Sequence, residues 1–156
     1  MPNPRAALVL SEAEQAELLG KARVLQVASI NRDGTPHLVP MWFAMDDDGL
    51  MVFTTYATAQ KVLNLERDPR ITVLAEAGDI YSQLRGVSID ARAEVVRDPQ
   101  VTARALALVG AKYADRPRPP RPSTPPAELP PQAYKRVTVR IHPIRVRSWD
   151  HRKLGS

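Results

Sequence analysis

The chain has 156 residues, 22 Lys and Arg against 17 Asp and Glu, a formal charge of +5, three histidines and no cysteine. That length suits one domain, residues 1–156, burying roughly two thirds of its unfolded surface, and the missing cysteines exclude disulfides, a thiolate nucleophile and a cysteine-bound metal. The basic residues are spread along the chain without a nucleic-acid motif, so they read as a solvated surface able to attract a small polyanion rather than as a nucleic-acid interface.

In chain order, Ser11 with Glu14 forms a capping box that opens a short helix, for which Gly20 supplies the expected stop, with Leu10, Leu18 and Leu19 as its apolar face. From Arg23 the pattern turns to strand: Val24, Leu25, Val27 and Ile30 form one arm, Asn31 to Gly34 the turn, and Thr35 to Met45 the second arm of a hairpin. Asp46-Asp47-Asp48-Gly49 makes the next turn, and the absence of an EF-hand continuation favours a plain acidic turn over a calcium loop. A third strand covers Leu50 to Thr55, a fourth Ile71 to Glu76. A long half-buried strand covers Leu84 to Val96, with Val87, Ile89, Ala91 and Ala93 alternating against polar residues. Asp98-Pro99 starts a helix that runs to about Tyr113. Residues 116–131 hold many prolines and read as an extended surface arm. Arg136 to His142 and Ile144 to Trp149, interrupted by Pro143, are the closing strands, and Trp149 to Leu154 is a basic aromatic tail. No apolar run approaches the roughly 20 residues that span a bilayer, and the N-terminal residues lack a signal peptide's apolar core, so a cytoplasmic location without membrane contact is expected.

The stretch Val52 to Arg70 carries the chemistry. It reads as a strand ending in Thr54 and Thr55, a short crossing, and a helix that begins with Gln60 and Lys61 and stops before Asp68-Pro69. A helix start presents unpaired N–H groups and partial positive charge, and hydroxyls with an ammonium beside it suit a phosphate. An ordinary strand-to-helix turn with a solvated lysine is the alternative on these residues alone. With three scattered histidines and no ligand spacing, no metal site is expected.

Six to seven mostly antiparallel strands with two to four short helices read as an α+β domain built on a β-barrel. The order of motifs, Pro36 to Phe43, then Val52 to Thr55, then Gln60-Lys61 with Asn64-Leu65 and Asp68-Pro69-Arg70, resembles the pyridoxamine-5′-phosphate-oxidase-like split-barrel flavoproteins. Leu84 to Ser88 and Ser148 to Leu154 resemble later motifs of its actinobacterial branch that binds the deazaflavin coenzyme F420. The resemblance covers nearly the whole chain. It implies a split-barrel homodimer with cofactor clefts between subunits. Leu38, Val39, Pro40, Met41, Trp42 and Phe43 would lie along the ring. Phe53, Thr54 and Thr55 would approach ring and phosphate, and Ala59, Gln60, Lys61 and Asn64 would surround the phosphate. Arg85 and Gly86 would arrive from the partner subunit, and Trp149 and Arg152 from the tail.

Gln60 and Leu38 stand where the vitamin B6 oxidases carry arginines, and the tail lacks their pyridoxal-phosphate pattern. Those departures point to the deazaflavin over flavin mononucleotide (FMN). The resulting expectation is an F420-dependent reductase passing hydride to an unsaturated small molecule, with an FMN-dependent oxidoreductase or a non-catalytic deazaflavin carrier as alternatives. No side chain is nominated as catalytic.

Overall fold

The structure, a computed structural model, describes residues 3–115 and 128–154. Seven strands form one antiparallel sheet in the order β2-β1-β5-β6-β7-β4-β3, curled into the half-barrel of a split-barrel fold. The strands are β1 (Leu25–Ile30), β2 (Pro36–Met41), β3 (Ala44–Met45), β4 (Met51–Tyr56), β5 (Arg70–Ala77), β6 (Arg85–Val96) and β7 (Arg136–Asp150). Four helices accompany them: α1 (Glu12–Lys21), α2 (Gln60–Arg67), α3 (Pro99–Lys112) and the single turn α4 (Gln132–Lys135). Among the described residues no helix is long and apolar enough to cross a membrane, and no group of acidic or histidine side chains could hold a metal ion.

Alternation of buried and exposed positions places Leu25 and Val27 of β1, Ile71 and Val73 of β5, and Val87, Ile89, Ala91 and Ala93 of β6 in one core with Phe43, Phe53, Val139 and Ile141. The capping box forms as expected, Ser11 Oγ accepting from Glu14 N and Glu14 Oε2 from Ser11 N. Gly20 does not stop α1. The helix runs one residue further, Gly20 faces open space, and extended Ala22 ends the element.

The expected arm from Thr35 to Met45 is broken in two. β2 pairs with β1 at one edge of the sheet, while Ala44 and Met45 cross to pair with β4 at the other. The cause is a clamp at Trp42-Phe43. Phe43 is fully buried, its N–H donates to Tyr113 Oη at 3.3 Å, and Trp42 stacks flat on the Tyr113 ring at 4.3 Å. The closing segment, in contrast, is a single strand. Pro143 falls where the β6–β7 register slips opposite Asp90 and Ala91, a position that needs no ladder N–H. Asn31 N donates to Thr35 O, so odd positions of β2 face β1, and Pro36, Leu38 and Pro40 turn their backbone nitrogens to the free edge.

The acidic turn is plain. Asp46 Oδ1 accepts from the N–H groups of Asp48 and Leu50, and its carboxylate with those of Asp48 and Glu94 surrounds Arg140. The proline-rich arm lies outside the described residues as far as 127, and α4, which follows it, was not among the expected elements.

Lys112, at the end of α3, donates to Leu19 O at 3.1 Å and lies 3.5 Å above the Phe43 ring. Burial, and after it the Arg23 charge, pushes its ammonium from 10.5 down to about 8. Between those values the unfolded chain holds a proton that the folded chain does not, so this group's contribution to stability rises with pH across that window. The melting-temperature difference between Lys112→Met and wild type is therefore expected to shift in favour of wild type from pH 7 to pH 10. A pH-independent difference would place Lys112 in solvent.

Candidate functional site

β4 is buried on both faces along Met51 to Thr55 and ends at exposed Tyr56. The chain then turns, Ala59 N donating to Tyr56 O, and α2 starts at Gln60 with Ala59 as an N-cap that offers no side-chain acceptor. Val62 N and Leu63 N turn back to Ala59 O, so the amides left without a side-chain cap are those of Gln60 and Lys61. Lys61 Nζ reaches back to donate to Thr55 Oγ1 at 3.1 Å, and Thr54 and Thr55 are both buried. Among the described residues Lys61 forms no ion pair. Burial, and after it the Arg136 charge, holds its ammonium below the usual lysine range.

Arg136 enters from β7, where it faces Tyr56 across the ladder. Its guanidinium carbon lies 4.3 Å over the Tyr56 ring, and Nη1 donates to Thr54 O at 3.3 Å. Its Nε is buried and has no hydrogen-bond partner. Arg136 is not among the site residues expected from the sequence. Its alternating basic strand was legible, but only the β4–β7 register shows that this member of the alternation ends beside Lys61.

Asn64 has a different place from the one expected. It is fully buried, its Nδ2 donates to Ser29 Oγ (3.1 Å) and Asn31 Oδ1 (3.0 Å), and its Oδ1 accepts from Gln60 Nε2 (2.9 Å) and Arg67 Nη2 (3.2 Å). Both amide protons are used inside the protein, so Asn64 fastens α2 to the β1–β2 turn and has no donor left for a phosphate. The same tie sets Gln60 beside Asn31, Arg32, Asp33 and His37 in an open groove of about 560 Å³. His37 Nδ1, at the inner side of that groove, is buried without a partner.

Along β2, Leu38 and Pro40 are exposed, while Val39 and Met41 turn inward and are partly buried. Trp42 presents one face to Tyr113, and Phe43 and Phe53 are core residues with no exposed side chain. A ligand can meet Phe43 and Phe53 through backbone alone.

The remaining expected residues lie elsewhere. Gly86 is buried against Trp149: a Cβ there would come within 2.4 Å of Trp149 Cζ2, so glycine is what lets the indole lie on the strand. Arg85 Nη1 donates to Gln83 O at 3.1 Å. Arg152 holds the buried Asp150 carboxylate through Nε at 2.9 Å and Nη2 at 2.7 Å, which keeps that acid below its ordinary range. Arg85 and Arg152 line a cavity of about 510 Å³ closed by α1. From Gly86 the strand runs to Val96, which faces Thr138, the partner of Thr54. At ~3.3 Å per residue that path is roughly 33 Å. One chain thus carries two separated sets among the described residues, Thr54-Thr55-Gln60-Lys61 at one end of β6 and Arg85-Gly86-Trp149-Arg152 at the other, and neither the Gln60 groove nor the Arg85 cavity holds members of both.

The family model described as pyridoxamine 5′-phosphate oxidase matches residues 11–150. Among solved structures, a conserved hypothetical protein from Mycobacterium tuberculosis is 43% identical with a TM-score of 0.83, the match covering 99% of this chain and 93% of that one. An F420 reductase, 24% identical, has a TM-score of 0.67 with coverage of 88% and 98%. A FAD-binding protein from Mesorhizobium loti, 23% identical, has a TM-score of 0.65 with coverage of 90% and 94%. At those last identities the likeness is one of fold. No curated protein matches the chain.

Proposed function

We propose that this chain, which belongs to the pyridoxamine 5′-phosphate oxidase family, binds the deazaflavin coenzyme F420 and, as a homodimer, passes hydride to an unsaturated small molecule. The observation that carries the proposal is Lys61. It is a partly buried ammonium, unpaired among the described residues, bonded to Thr55 beside a helix start that no side chain caps. Holding a charge out of water without a counter-ion is unfavourable, and a phosphate oxygen removes that cost.

The residues fit such a group. An unpartnered buried donor, Arg136 Nε, lies on the next strand, and Thr54 and Thr55 supply hydroxyls. Gln60 in place of a second helix-start cation makes a looser cup than a tight phosphomonoester clamp, which supports a cofactor whose phosphate is one part of a longer acidic tail. Exposed Leu38 and Pro40, with partly buried Val39 and Met41, offer an apolar edge on which a flat ring can rest. The distance between the two residue sets supports a dimer in which Arg85, Gly86 and Trp149 of one copy meet Lys61 of another. When bound, the deazaflavin supplies hydride in a two-electron step. The chain's own contribution is positioning, and an acceptor held at contact distance gains several kcal/mol from orientation alone.

The test is a titration of purified protein with F420 and with FMN, followed through Trp42 and Trp149 fluorescence, then an assay with reduced F420 and a panel of enones, quinones and biliverdin. Micromolar or tighter F420 binding with turnover of at least one acceptor is expected. Binding without turnover makes the protein a carrier, and preferential FMN binding replaces the cofactor.

A further inference from the structure

We infer that Arg136 is the second cation of the phosphate site, supplying from β7 the charge that Gln60 does not supply from α2. The inference rests on the reading of the β4–α2 junction as a phosphate site and adds to it a residue, a direction of approach and a charge of two on the cup.

Among the described residues seven other arginines are paired with carboxylates. Arg136 is not. It lies close enough to Lys61 to disfavour that residue's charge, and two unpaired cations side by side, both partly buried, repel in a medium that screens less than water. Its Nε–H points to no acceptor, although a buried donor left unmade costs about 1–3 kcal/mol. One phosphoryl group answers both deficits, since its oxygens accept from Nε–H and from Lys61 while its negative charge offsets the repulsion.

The guanidinium is also held for the task. The exposed Tyr56 ring lies beneath it at 4.3 Å, and the bond to Thr54 O fixes one arm of the fork. Ala57 N donates to Lys135 O, tying the strand end to the residue before Arg136. An arginine that merely covered Tyr56 would need neither the buried Nε nor the lysine beside it.

The experiment titrates wild type, Arg136→Gln and Arg136→Lys with inorganic phosphate and separately with F420, reading affinity by fluorescence and folding by circular dichroism. Arg136→Gln is expected to weaken phosphate tenfold or more and F420 by a similar factor, at an unchanged spectrum. Arg136→Lys, which keeps the charge but removes Nε–H and the fork, is expected to lose severalfold, and it carries the test should the glutamine variant not fold. Phosphate affinity within twofold of wild type in the folded variants, or no phosphate binding by wild type, overturns the inference. A wild type that binds phosphate through Arg136 but not F420 overturns the cofactor reading and leaves Arg136 in place. A wild type that binds F420, with Arg136→Gln matching it for both ligands, does the reverse.

Discussion

Lys61→Ala is expected to weaken F420 binding by roughly tenfold to a hundredfold while the protein stays folded. A charge-assisted hydrogen bond is worth about 1.5–3 kcal/mol, and each 1.4 kcal/mol is a factor of ten in affinity. The change should cost little stability, since the side chain bonds to Thr55 alone among the described residues and its charge is disfavoured by Arg136. The pH dependence has a definite sign. Burial and Arg136 lower the free site's ammonium, so anion affinity falls with rising pH earlier than an ordinary lysine would dictate. A bound phosphate stabilises the protonated form, so binding takes up protons in that range. Fluorescence titration of the variant across pH checks both statements, and an affinity equal to wild type removes Lys61 from the site.

Asn64→Leu is expected to act oppositely, on the fold. The change keeps the branched shape but adds bulk at a fully buried position, and it leaves the buried hydroxyl of Ser29 and the half-buried amide of Asn31 without their partner, while exposed Gln60 can turn to water. One buried unsatisfied group costs about 1–3 kcal/mol and overfilling a packed site about as much again, so a loss of roughly 2–4 kcal/mol follows. For a chain of this size that is a fall of about 5–15 °C in melting temperature. An unchanged denaturation midpoint would show that α2 is held by its apolar face alone. Comparing the two variants separates a residue that binds from one that supports the residue that binds.

Much of this was legible in the sequence, for reasons that differ by element. The capping box at Ser11, the Asp98-Pro99 helix start and the alternation from Val87 to Ala93 are local signals, and the structure keeps them. The family motifs are ordered along the chain, so the family and fold could be recognised from one sequence. What failed depended on contacts distant in sequence. The break at Trp42-Phe43 is made by Tyr113, some 70 residues later, and nothing in a run of strand-forming residues announces it. Gly20 looked like a stop because glycine commonly ends helices, yet no positive φ was required there. Asn64 looked like a ligand because it shares a helical surface with Gln60 and Lys61. Its burial against Ser29 and Asn31 is a matter of tertiary packing, not of spacing. Arg136 needed the strand register, which alternation alone does not supply.

The prolines of β2 have a consequence for how copies of this chain can meet. Of the three backbone positions that face the free edge, 36, 38 and 40, two have no N–H, and only Leu38 can donate. That edge is a poor template for an added strand, which protects an apolar border from growing into a fibril or a sheet continuous between molecules. An assembly across β2 therefore favours side chains packing over its face above strand addition along its edge.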